Sequence, residues 1–204
     1  IYLETTYKQD SIIFSFPVYQ AQIVAKVSDG VMLGYFEKTD SKDYKIPFVG
    51  TQGIEDRLPN NEPACCDLPG RWKTIFTEGE KTSDAIGEFT ITSSKVRGSF
   101  LTQSGDYRFL DGKLNGNKLT LFGFDGGYIQ VFKATLKNDS LHGTYHSGLT
   151  GFKTWSAAPS ETFQLADPNY ISELNPALDS ISFSYPSLVE GANVSYNPYA
   201  FLGK

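Results

Sequence analysis

The run Lys95-Val-Arg-Gly-Ser-Phe-Leu-Thr102, Gln103-Ser-Gly105, Asp106-Tyr-Arg-Phe-Leu-Asp-Gly-Lys-Leu114, Asn115-Gly-Asn117, Lys118-Leu-Thr-Leu-Phe-Gly-Phe124 decides the fold class. Three short segments rich in aromatic and β-branched residues are separated by two- or three-residue links, and those links carry Gly, Asn or Ser, which tolerate φ > 0 or form side-chain turns. Such spacing leaves no room for helices and calls for antiparallel hairpins. The same grammar extends outward. It predicts strands at Ser11–Ser15, Tyr19–Val27, Val31–Lys38, Tyr44–Val49, Arg71–Thr77 and Ile86–Thr92 before the run, and at Tyr128–Leu136, Ser140–Ser147 and Phe163–Leu165 after it. A weak repeat, Gly-x-aromatic, recurs at Gly34-Tyr-Phe36, Gly98-Ser-Phe100 and Gly143-Thr-Tyr145, with Gly70-Arg-Trp72 as a looser copy. A glycine within a strand marks a bend or a close backbone approach, and the aromatic two residues on lies on the same face. Strongly bent strands in a meander suit an all-β, closed or nearly closed barrel of the lipocalin or avidin kind, with a two-layer β-sandwich as the rival arrangement.

The 204 residues, 22.6 kDa, suffice for one sizeable β domain plus an extension. Net charge is −5 and the pI near 5.1, so no positive field exists to draw nucleic acid. No apolar run reaches the roughly 20 residues of a spanning helix. Composition divides the chain near Ala166: beyond it prolines are frequent, glycines scarce, and four acids face one base. The expected organisation is a β-barrel domain over 1–165, a linker over 166–182 with a short helical turn near Tyr170–Leu174, and a separate piece over 183–204. Thr51–Pro69, rich in Pro and Asn, reads as a long loop crossing the barrel or capping it.

Chemistry-bearing residues are few. His142 and His146 lie on one strand face but about 13 Å apart at the usual rise per residue, too far to share a metal. Cys65 and Cys66 are adjacent, which strains a disulfide between them, and neither belongs to a C-x-x-C pair. The densest polar cluster is Asp106 and Arg108, two apart on one strand, with Asp125 at a neighbouring turn; it reads as an ion pair closing a barrel end, or as a surface that orients a ligand or docks a second domain. Paired carboxylates would suit glycoside hydrolysis, but nothing fixes their spacing. Trp72 and Trp155, with Tyr35, Phe36 and Tyr145, read as core aromatics or as the lining of a ligand cavity. No G-x-S-x-G elbow is present. The residues call for no cofactor and no metal.

Ser11-Ile-Ile-Phe-Ser-Phe-Pro-Val-Tyr19, Tyr44-Lys-Ile-Pro-Phe48, Gly70-Arg-Trp72, Gly98-Ser-Phe100, Gly105-Asp-Tyr-Arg-Phe-Leu110, Phe124-Asp-Gly126 and Gly143-Thr-Tyr145 together resemble the N-terminal β domain of bacterial envelope thiol-disulfide oxidoreductases of the TlpA-like, thioredoxin-fold class. The tail, Phe183-Ser-Tyr-Pro186 through Phe201-Leu-Gly-Lys204, is similar to the lead-in of a redoxin domain. The resemblance implies a non-catalytic module in the periplasm or on a lipid anchor. It further implies a thioredoxin-like domain downstream as partner, and a role in substrate-protein recognition, positioning or dimerisation. The catalytic Trp-Cys-x-x-Cys motif of that class matches no position here, Cys65-Cys66 included. The alternative expectation is a small-ligand-binding barrel of the cell envelope, with Trp72 and Trp155 facing its cavity.

Overall fold

A computed structural model describes residues 4–54, 58, 62–68, 70–166, 183–186 and 193–196, the last two segments and Arg108 by their backbone alone. The chain is all-β. Thirteen strands precede Ala166: β1 Glu4–Lys8, β2 Ser11–Phe16, β3 Ala21–Ser28, β4 Val31–Lys38, β5 Lys45–Thr51, β6 Arg71–Glu78, β7 Lys81–Thr92, β8 Lys95–Thr102, β9 Gly105–Asn115, β10 Lys118–Phe124, β11 Ile129–Lys137, β12 Ser140–Ser147 and β13 Gly151–Pro159. Each pairs antiparallel with its sequence neighbour, except across the gap between β5 and β6. β6–β13 close into an eight-stranded barrel because β13 returns to β6, with Trp155 opposite Phe76 and Pro159 opposite Trp72. The expected barrel is therefore present, but it is built from residues 71–159.

Strands β1–β5 form a second, open five-stranded meander. Alternation along a strand tells which face is apolar, not which strands close on each other, so the two meanders look alike in sequence. Two strands escaped the sequence grammar. β1 is exposed and polar, and β13 carries Ser156, Ala157 and Ala158, weak strand formers whose place is set by pairing with β6 and β12. Phe163–Leu165, expected as a strand, is irregular: Phe163 is held by its amide donating to Ser160 Oγ and by Lys73 Nζ over its ring.

The strand glycines do what their spacing predicts. A Cβ at Gly34, Gly98, Gly112 or Gly143 would lie 1.8–2.2 Å from a carbonyl oxygen of the adjacent strand. Coiling at the last three, which lie in barrel strands, lets eight strands wrap a narrow lumen, which side chains then fill. Phe100, Phe132, Leu114, Leu121 and Leu141 are wholly inaccessible, and the ring centroids of Phe132 lie 4.8 Å from Phe100 and 4.5 Å from Tyr145. Part of the segment expected as a capping loop does cap this lumen: Ala64 bridges to Gly116, and Leu68 is buried in the barrel core.

The chain divides into two compact units, 1–166 and 167–204. In the second, β14 Phe183–Pro186 pairs with β15 Asn193–Tyr196. The helical turn expected near Tyr170–Leu174 lies outside the described residues.

Gly143→Ala should cost about 2–4 kcal/mol, because its new methyl meets the Lys133 carbonyl rather than a yielding side chain. Gly70→Ala, where a Cβ meets nothing within 4 Å, should leave the denaturation midpoint unchanged. Urea melts of the two variants check the contrast.

Candidate functional site

Trp72 and Trp155 are core residues. Both are buried among the barrel rings, and the Trp155 indole N–H donates to the Thr144 carbonyl at 3.1 Å. The aromatics expected beside them separate. Tyr145 joins the same core, where burial first of all pushes its phenol up to about 12, whereas Phe36 and Tyr35 belong to the five-stranded sheet.

The polar cluster is also redistributed. Asp106 opens β9 opposite Leu101, exposed, while Asp125 caps its own turn, its Oδ1 accepting from the amides of Gly127 and Tyr128 at 2.7 Å each. Both belong to the barrel end made by the β8–β9 and β10–β11 turns. The expected alternation through Arg108 is broken by a bulge: the β8–β9 register shifts between Gly98 and Phe100, and Phe109 takes φ 58°. Tyr107 and Leu110 therefore both pack on the core, although they are three residues apart, and Phe109 is thrown outward, 89% exposed. His142 and His146 are exposed on β12, where His146 lies 5.1 Å from the Phe152 ring. Among the described residues no three His, Cys, Asp or Glu side chains cluster as metal ligands.

The barrel end carrying Asp125 meets the sheet. Phe124 stands edge-on to Phe16 and Phe36 at 5.5 and 5.7 Å, Tyr128 edge-on to Tyr44 at 6.1 Å, and Lys38 Nζ sits 4.6 Å over the Tyr128 ring. Gly126 packs so closely under Tyr19 that a Cβ there would lie 2.3 Å from the ring, and its φ of 100° suits glycine alone.

This contact covers only part of one sheet face. Register places Ile12, Phe14, Ile23, Val27, Met32 and Phe48 on that same face, and together they line a recess of about 630 Å³. A second recess of about 400 Å³ adjoins it, sharing Ile23 and Phe48 and walled on the barrel side by Phe109, Phe122 and Phe124. Both volumes lie in the range of small-molecule and peptide-side-chain sites. The first recess is lined almost wholly by apolar groups and can hold a ligand by shape and hydrophobic burial; the second adds one carboxylate, Asp111, among its aromatic walls. The sequence signal for it was present in the alternation of β2–β5; what alternation could not show is that, among the described residues, much of this face is only half-buried. The opposite face is also apolar in part, with Leu33, Tyr35 and Val49 exposed.

Tyr44 gives the sheet–barrel contact a pH dependence. Burial, then the neighbouring Tyr128 and Asp125, holds its phenol above the ordinary range. Because the folded value is raised, the stabilisation is complete below the unfolded value of about 10 and is lost as pH climbs through the folded one. Tyr145 acts with the same sign in the barrel, so the urea midpoint of the chain should fall as pH rises past about 10, and it should fall less steeply in Tyr44→Phe. Compared with known proteins, the chain matches no family model, no curated protein and no solved structure.

Proposed function

We propose that this chain is a non-catalytic recognition module of a thiol-disulfide oxidoreductase of the cell envelope, and that it serves a downstream thioredoxin-like domain by holding apolar segments of substrate proteins. The observation that carries the reading is the uncovered apolar recess on the five-stranded sheet, set beside a barrel whose lumen is full. Reductases act on incompletely folded proteins, whose shared feature is exposed apolar side chains, and a recess without charges at its floor selects for that feature rather than for one sequence. Covering a Val- or Phe-sized side chain contributes about 1.5–3 kcal/mol, and the loss of freedom on association offsets much of the sum of a few such contacts, which suits a transient complex.

The non-catalytic part rests on chemistry. Cys65 beside it pushes the Cys66 thiol up to about 11, and only a thiolate attacks a disulfide, so Cys66 is a poor turnover nucleophile at neutral pH. The resemblance of Gly105-Asp-Tyr-Arg-Phe-Leu110 and Phe124-Asp-Gly126 to the N-terminal domain of TlpA-like reductases supports the redox setting and the periplasmic or lipid-anchored location.

A second reading, a small apolar ligand in place of a peptide, is favoured by the size of the same recess and moves the ligand-binding alternative from the barrel lumen to the sheet.

Reduced, carboxymethylated lactalbumin, a permanently unfolded protein, is the probe. The chain should bind it, and Val27→Asp with Met32→Asp should weaken binding at least tenfold with the circular dichroism unchanged, since Val27 is half exposed and Met32 lines the recess rim. Equal binding by the double variant contradicts the reading. With dithiothreitol present, insulin reduction should stay at the uncatalysed rate; enzyme-like turnover contradicts the non-catalytic assignment.

A further inference from the structure

Adjacent residues of an extended chain point to opposite sides, so neighbouring cysteines ordinarily keep their sulfurs apart. Here the backbone bends at Cys65 and Cys66, and the two Sγ atoms lie 3.1 Å apart, both exposed. The bend is held from both sides. Before it, the Glu62 amide donates to Asn115 Oδ1 at 2.8 Å, the Gly116 amide to the Pro63 carbonyl at 3.1 Å, and the Cys65 amide to the Gly116 carbonyl at 3.0 Å. After it, Leu68 is buried among the barrel rings, and Ala64 packs against the same core. The pair is thus presented on the segment that caps the lumen, at the end of β10 opposite the one that meets the sheet.

We propose that Cys65 and Cys66 form a vicinal dithiol that closes into a disulfide by exchange with an external disulfide, either a partner protein's or one of the glutathione type. The thiolate of one cysteine attacks a sulfur of the external disulfide, forming a mixed disulfide and releasing one external thiolate. The second cysteine, as thiolate, then attacks the protein sulfur of that mixed disulfide, closing the ring and releasing the second external thiolate. The two protons leave the dithiol and end on the two released thiols. The chain loses two electrons, and the external disulfide gains them.

The product ring holds eight atoms and is bent from favoured disulfide geometry, which makes the bond easily reduced, as suits a reversible mark rather than a structural brace. Because the dithiol lies between Ala64 and Leu68, closing the ring acts on the cap of the barrel. The Cys65 thiol beside it and burial, with Asp139 and Asp67 behind them, disfavour the Cys66 thiolate. The site is independent of the sheet recess, and either assignment can fail without the other.

The test is incubation of the intact chain with oxidised glutathione, followed by intact-mass spectrometry and iodoacetamide labelling. The wild type should lose two hydrogens, accept no label, remain monomeric, and recover both labels after dithiothreitol. Cys66→Ser should instead stop at a stable glutathione adduct on Cys65, and Cys65→Ser at one on Cys66. Both positions are exposed, so circular dichroism should show each variant folded. A wild-type chain that retains one or two glutathiones, links into dimers, or keeps both thiols free overturns the proposal.

Discussion

The pairing of β13 with β6 is the constraint on which the remaining structure depends. It is the longest-range pairing in the barrel, joining Thr154–Pro159 to Trp72–Thr77, and it alone converts a seven-hairpin meander into a closed surface. Closure brings Trp155 opposite Phe76, and Phe76 then contacts the rings of Phe100, Tyr107, Phe132, Tyr145 and Trp155 within 5.3–6.4 Å. Without that contact β6 and β13 would both be open edges carrying unpaired backbone groups, and the ring cluster would lose its centre. Filling the lumen with rings makes the barrel a rigid support, and it is why the proposed recognition role is placed on the sheet.

What binds, on this account, is set by contrast between the two meanders. The barrel hides its apolar face by curling on itself. The five-stranded sheet does not: among the described residues β1 and β5 are its edges, and the barrel tip at Phe124 and Tyr128 meets the Phe16–Phe36–Tyr44 portion of one face. A small exposed apolar residue here or there is ordinary on a protein surface; a continuous recess framed by four strands is what the proposed recognition role rests on.

Much of this architecture could be read from the residues. β4, β8, β10 and β12 begin and end where turn chemistry and alternation place them, and the Gly-x-aromatic repeat marks real backbone approaches at Gly34, Gly98 and Gly143. The failures share one cause, dependence on partners distant in sequence. β13 is a strand because β6 and β12 flank it, not because of its own alanines and serines. The bulge at Phe109 reverses the face of everything before it on β9, and no local signal announces a positive φ at a phenylalanine. The site suffered likewise. Asp106 and Asp125 were brought to one barrel end, but Asp125 spends its carboxylate on its own turn, and of the two readings of the tryptophans, core or cavity lining, the core one holds. The convergence of Cys65 and Cys66 was hidden by the rule that neighbours diverge, a rule the hydrogen bonds to Asn115 and Gly116 override.

Amide hydrogen exchange of the chain, free and saturated with an unfolded client protein, tests the central claim most directly. The account predicts added protection in β2–β5 around Ile12, Ile23, Met32 and Phe48, with exchange in the barrel strands about Trp72 and Trp155 unchanged. Protection confined to the barrel strands, or absent from the sheet, would contradict it.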